Sequence, residues 1–193
     1  MNIQKGVCMK NIIFLIAAII LGTLNINAQE ENGSKLTKKE RKAIEARIDS
    51  IKNAKAEQAI NDSAFVLEAD LVTFKRGRTA HVTSNTNFVA VNGGEASVQV
   101  AFNVPWPGFN GLGGITVDGY ISKYEKKKDK KGNIYLEMNV SGRGISAQVF
   151  ITLWSGSNKA SVNIMQNFHS GRISLDGVIV PKEESDVFKG VAL

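Results

Sequence analysis

The sequence predicts an all-β fold, an antiparallel barrel or sandwich of about nine strands preceded by one amphipathic helix. Three observations carry this reading. Apolar and polar residues alternate over long stretches, as in Ala96, Val98, Val100, Phe102 and Val104 against Ser97, Gln99 and Asn103. That is the pattern of strands with one buried face and one wet face. Turn chemistry then separates the alternating stretches, at Lys75-Arg76-Gly77, Asn92-Gly93-Gly94, Lys130-Lys131-Gly132-Asn133, Ser155-Gly156-Ser157-Asn158 and Ser170-Gly171. Finally, helical periodicity occurs once, before residue 63, so no helix is left to make a parallel crossover.

Taken in order, the chain begins with an export leader over residues 1–28. Lys10 and Asn11 precede an apolar run from Ile12 to Leu24, and Asn25-Ile26-Asn27-Ala28 offers a small residue for cleavage before Gln29. Met9 is the more natural leader start, because it sets Lys10 directly before the apolar core. The run is too short for a membrane span, which needs about 20 apolar residues, so no stable membrane anchor is expected. Cys8 is the only cysteine. Cleavage near Ala28 therefore leaves no thiol for a disulfide, a Cys/His zinc site or a lipid anchor.

Residues 29–62 read as a polar linker and a helix. Thr37-Lys38-Lys39-Glu40 is a capping box, in which the Thr37 hydroxyl accepts from the Glu40 amide. Ile44, Ile48 and Ile51 then recur at i, i+4 and i+7, and Asn61-Asp62-Ser63 closes the helix. This narrow, alanine-rich stripe suits docking on the protein's own β-domain or on a partner better than a membrane surface.

The β-domain, residues 63–193, has strands predicted at 65–74, 79–83, 86–91, 95–104, 115–125, 133–141, 146–154, 159–166 and 172–180. In the first, Phe65, Leu67 and Leu71 are expected inside, with Glu68 and Asp70 on the solvent face. Stretch 146–154 is apolar on both faces, with Val149, Ile151 and Leu153 on one and Phe150, Thr152 and Trp154 on the other. The helix is the expected cover for that second face, an arrangement in which Trp154→Ala loosens the helix.

Charge and composition narrow the function classes. The net charge is +6, and the leader holds two of the lysines and no acid, leaving +4. This is mild and dispersed, and nucleic-acid binding is not expected. The lysines of Lys123–Lys131 fall at a hairpin tip, where they suit a solvated edge. His81 and His169 lie in a strand and beside a turn, and neither accompanies a nucleophile motif. No cofactor is implied.

The best binding candidate is the irregular stretch Pro105–Gly114. Its glycines permit close backbone approach, and Trp106 and Phe109, with Asn110 and Gly113, can present aromatic faces and polar groups to a small apolar or sugar ligand. Inward packing of both aromatics explains the stretch as well. A rival reading is a hydrolase that uses Glu68, Asp70 and a third acid such as Asp118 or Asp176. A further one is an envelope interaction protein that binds through its helix, which requires a filled β-domain and a loosely attached helix.

The ordered segments Phe65-Val66-Leu67-Glu68-Ala69-Asp70, Asn87-Phe88-Val89-Ala90-Val91, Ala96-Ser97-Val98-Gln99, Asn110-Gly111-Leu112-Gly113-Gly114-Ile115-Thr116 and Ile173-Ser174-Leu175-Asp176-Gly177 resemble an exported bacterial family, catalogued as domain of unknown function 4251. The resemblance spans roughly residues 40–190. It implies export and a single domain, and supplies no catalytic residue. The expectation is thus a periplasmic or secreted non-enzymatic binding module for a small molecule or an envelope protein.

Overall fold

The computed structural model describes residues 36–101, 114–142, 146–166 and 172–190. Among them one helix, α1 (Lys38–Asn61), precedes β1 (Ala64–Phe74), β2 (Thr79–His81), β3 (Phe88–Asn92), β4 (Glu95–Val100), β5 (Ile115–Lys128), β6 (Ile134–Gly142), β7 (Ser146–Leu153), β8 (Lys159–Gln166) and β9 (Arg172–Pro181). All strand pairs are antiparallel. From β3 to β9 each strand pairs with the next, and β9 returns to β1. This closes an eight-stranded meander barrel with β2 as an extra strand on β1. The barrel form decides between the two predicted architectures. Strand β1 makes closure possible, since Phe65–Phe74 pair with β9 on one edge while Ala64–Glu68 take β3 on the other.

Alternation sorts side chains to the inside and outside as read from the sequence. Leu136, Met138 and Val140 of β6, Val149, Ile151 and Leu153 of β7, and Val162 and Leu175 beyond them belong to one buried cluster. The exception is β1. A bulge between Ala69 and Leu71 leaves Asp70 out of the β9 ladder, and alternation shifts by one residue. Val72, not Leu71, therefore enters the core. Gly177 stands opposite Ala69 at the bulge, where a β-carbon would lie 2.7 Å from the Ala69 Cα and collide with the Glu68 carbonyl. Only glycine allows the strands to approach so closely.

Helix α1 starts at Lys38, directly after the Thr37 cap position. It ends with Ser63 in the left-handed region at φ 51°, a common way to stop a helix. Its last turns close one end of the barrel, with Ala56, Ala59 and Ile60 inside the core cluster. Full burial of Ile60 contributes about 2–3 kcal/mol. The helix has no basic residue in its own last turn, and β5 supplies the cations that its C-terminal dipole favours. Lys126 bonds Asn61, and Lys128 bonds both Glu57 oxygens at 2.7 and 2.9 Å. Strand β5 thus runs three residues past its predicted end, and two of the expected tip lysines hold α1.

The Tyr124 hydroxyl donates to the Ile60 carbonyl at 2.6 Å. Burial pushes this phenol above its ordinary pKa, against a hydrogen bond with Ser63 that lowers it. The folded state therefore favours the neutral phenol, and its stabilisation is complete below pH ~10 and lost as pH rises from there through the higher folded-state pKa. In urea unfolding, Tyr124→Phe is expected to lose about 1 kcal/mol at neutral pH and to fall less steeply than wild type above pH ~10. Parallel curves through that range rule the linkage out.

The C-terminal segment covers the outside of β3–β5. After a 3-10 turn at Lys182–Glu184, Phe188 N–H donates to the Asn85 carbonyl at 2.7 Å, and Lys189 pairs with Asp118 at 2.6 Å. Beneath it Gln99 is fully buried, although alternation places it on the solvent face. Its amide nitrogen donates to the carbonyls of Thr86 (3.0 Å) and Phe188 (2.8 Å), and its oxygen accepts from Thr116 (2.8 Å) and the Gly190 N–H (2.7 Å). The expected wet face is dry here because the tail returns over it.

Candidate functional site

Trp106, Phe109, Asn110 and Gly113 lie outside the described residues, as does His169. His81 is exposed at the end of β2. Three of the carboxylates considered for hydrolysis each accept from a different serine. Glu68 accepts from Ser185 at 2.5 Å, Asp176 from Ser161 at 2.5 Å, and Asp118 from Ser97 at 2.6 Å beside Lys189, while Asp70 is exposed at the bulge. Asp118 stands three strands round the barrel from Glu68. Among the described residues no three His, Cys, Asp or Glu side chains form a metal-binding group, and no helix is long and apolar enough to cross a membrane.

Two surface features remain, and the first is α1. Every residue from Leu36 to Lys52 is exposed, and only the end of the helix enters the barrel. Ile44, Ile48 and Ile51 are 43, 45 and 60% exposed. At 3.6 residues per turn, they fall within about 60° of one another, whereas Ala56 and Ile60 lie about 80–180° round the helix from them. The three isoleucines thus lie to one side of the docking face and meet it only at Ala59, about 20° round from Ile48, and one turn earlier the stripe holds Lys55, paired with Glu184 at 2.6 Å. Glu40, Arg41, Arg47 and Lys52 flank the stripe, while Glu45 and Asp49 sit farther round the helix. Sequence periodicity locates this stripe but not its direction, which depends on the few residues after Asn53.

The second feature is the outside of β5–β7. The helix does not cover β7 as expected. It packs on β1 and β9 and reaches the β7–β8 turn through Asn53, whose amide donates to the carbonyls of Ser157 (2.7 Å) and Trp154 (3.3 Å). Phe150 and Thr152 are half-buried, and Trp154 is 45% exposed. A groove of about 140 Å³ opens there, between Tyr135, Phe150 and Thr152, with Glu125, Lys127 and Glu137 on its β5 side. Lys123 bonds Glu137 at 2.9 Å and Glu125 at 3.3 Å, and the Glu137 bond foremost raises its pKa. At the nearby turn, burial pushes the Asp129 carboxyl up, but bonds from Asn133, Lys131 and Tyr135 hold it below its ordinary range. The double apolar pattern of 146–154 was the sequence signal for this groove, read as a covered face because burial and ligand exposure look alike in one strand.

Comparison with known proteins supplies the family. No curated protein matches the chain. The chain is similar to a solved structure described as a DUF4251 family protein from Bacteroides eggerthii DSM 20697, with 48% identity and a TM-score of 0.64, over 72% of this chain and 94% of that one. The family model described as Domain of unknown function (DUF4251) matches residues 47–179, from within α1 to β9. This span takes in the strands from β1 through all but the last two residues of β9, and the chain belongs to the DUF4251 family.

Proposed function

We propose that the chain is an exported, non-enzymatic interaction module that grips a partner protein with the exposed first half of α1, the other end of the helix being anchored in the barrel and not loosely attached. The exposed isoleucine stripe carries the reading. A helix with about four exposed turns is marginal alone in water, and this one keeps three isoleucines out of the barrel's own apolar core. Anchors at i, i+4 and i+7 are the spacing that an apolar groove receives from a helix. Among the charges that flank it, Arg47 and Lys52 outnumber Glu40, which favours a groove edged with carboxylates. The apolar run 12–24 with Ala28 supports export.

In-cell photo-crosslinking tests this. A crosslinking side chain at Ile44, Ile48 or Ile51 is expected to give one shared adduct, and the same group at Ser50, on the far side of the helix, none. Ile48→Glu should abolish the adduct formed from Ile44 while leaving the melting temperature unchanged, since Ile48 lies outside the core cluster. Equal adducts from Ser50, or a lowered melting temperature in Ile48→Glu, would count against the reading.

A further inference from the structure

We infer that the outer face of β5–β7 is a binding site for a neutral oligosaccharide, independent of the helix. Strand register sets six side chains in a grid of two rows. Lys127, Tyr135 and Thr152 are direct cross-strand neighbours, and so are Glu125, Glu137 and Phe150. The groove of about 140 Å³ lies between these rows. Trp154 follows Thr152 by two residues, about 7 Å farther along the strand, and its indole turns over the same face to donate to Ser161 Oγ at 3.4 Å.

Charge selects the ligand class. Glu125 and Glu137 face Lys123, which bonds both, and Lys127, so the rim balances to zero. A balanced rim gives neither an anion nor a cation an advantage, yet it offers carboxylate acceptors and ammonium donors to hydroxyl groups. The aromatic rings supply the apolar half of the interaction, since a sugar ring presents C–H faces that stack on Tyr or Trp. The groove is smaller than the roughly 300–1,000 Å³ of a drug-sized site. It suits one ring, with Trp154 as a platform for the next.

The platform is held in place before any ligand arrives. The Tyr135 hydroxyl donates to Asp129 Oδ2 at 3.2 Å, and Asp129 is itself fixed by the Lys131 and Asn133 amides at 2.8 and 2.9 Å. Ser161, which accepts from the indole, donates onward to Asp176 at 2.5 Å. Rings fixed in this way lose little freedom on binding.

The test titrates the full chain with cellohexaose, maltohexaose and chitohexaose, with an oligogalacturonate of equal length as the anionic comparison. Calorimetry gives affinity, amide chemical shifts give the location, and thermal melting checks the fold. At least one neutral oligosaccharide is expected to bind saturably and more tightly than the anion, with shifts centred on Tyr135, Thr152 and Trp154. Tyr135→Ala and Trp154→Ala should each weaken binding about tenfold with the fold intact, as both side chains are 43–45% exposed. Failure of all three neutral oligosaccharides to bind, shifts that map elsewhere, or variants that bind like wild type would overturn the proposal. Crosslinking through α1 is unaffected by either result, so the two proposals fail separately.

Discussion

Leu153→Lys is expected to unfold the barrel, while Trp154→Ala changes its stability by about 1 kcal/mol or less. The two residues are adjacent and of opposite orientation. Leu153 is 1% exposed in the barrel interior, between Ile134 of β6 and Ala160 of β8, and close to the end that α1 closes. A lysine there loses the burial of a leucine, about 2–3 kcal/mol, and places an ammonium among apolar groups at several kcal/mol more. The sum approaches the roughly 5–15 kcal/mol that holds a domain of this kind together. Trp154 is 45% exposed, and it meets the helix through its backbone carbonyl, which alanine retains. Urea unfolding followed by circular dichroism separates the pair. Equal destabilisation by both variants, or detachment of α1 in Trp154→Ala, contradicts this arrangement.

Gln99→Ala is expected to cost roughly 3–4 kcal/mol and to release the segment that ends at Gly190. The fully buried Gln99 amide satisfies four separate groups, two carbonyls, one hydroxyl and one backbone N–H. Removing it deprives the Thr86 and Phe188 carbonyls and the Gly190 N–H of this partner, and a buried polar group without a partner loses more than a hydrogen bond contributes on average. The Phe188–Asn85 bond and the Lys189–Asp118 ion pair remain, but the latter is a half-exposed surface pair of small worth. Hydrogen exchange checks this outcome. The Gly190 amide should lose protection while the β6–β7 amides keep theirs relative to global stability. If Gly190 stays protected in Gln99→Ala, the tail is held by something else.

The residues that follow one-step rules were legible. Alternation identified the strands to within a few residues and put Leu136, Met138, Val149 and Ile151 inside, because a two-residue period reports side-chain direction directly. The capping sequence before Lys38 located the start of α1. The misplaced residues each depend on a neighbour far away in sequence. Leu71 turned outward because a bulge formed opposite Gly177, more than a hundred positions later. Gln99 is dry because residues 185–190 return over it. The same limit applies to function. The groove beside Tyr135 joins three strands, and its charge balance exists only once β5 and β6 are in register.

From sequence alone, then, this protein is a chain with an apolar leader-like run, one helix with an isoleucine stripe, and a set of antiparallel strands with one dry face each. Local sterics and the periodicity of backbone geometry determine these features, and both act within a few residues. The tertiary structure alone decided that the strands close into a barrel, that α1 enters it through Ala56, Ala59 and Ile60 and not through Ile44, Ile48 and Ile51, and that the outside of β7 stays open. Closure, plugging and covering depend on which surfaces meet, and burial on meeting is non-directional, so no short stretch of sequence encodes the partner it meets.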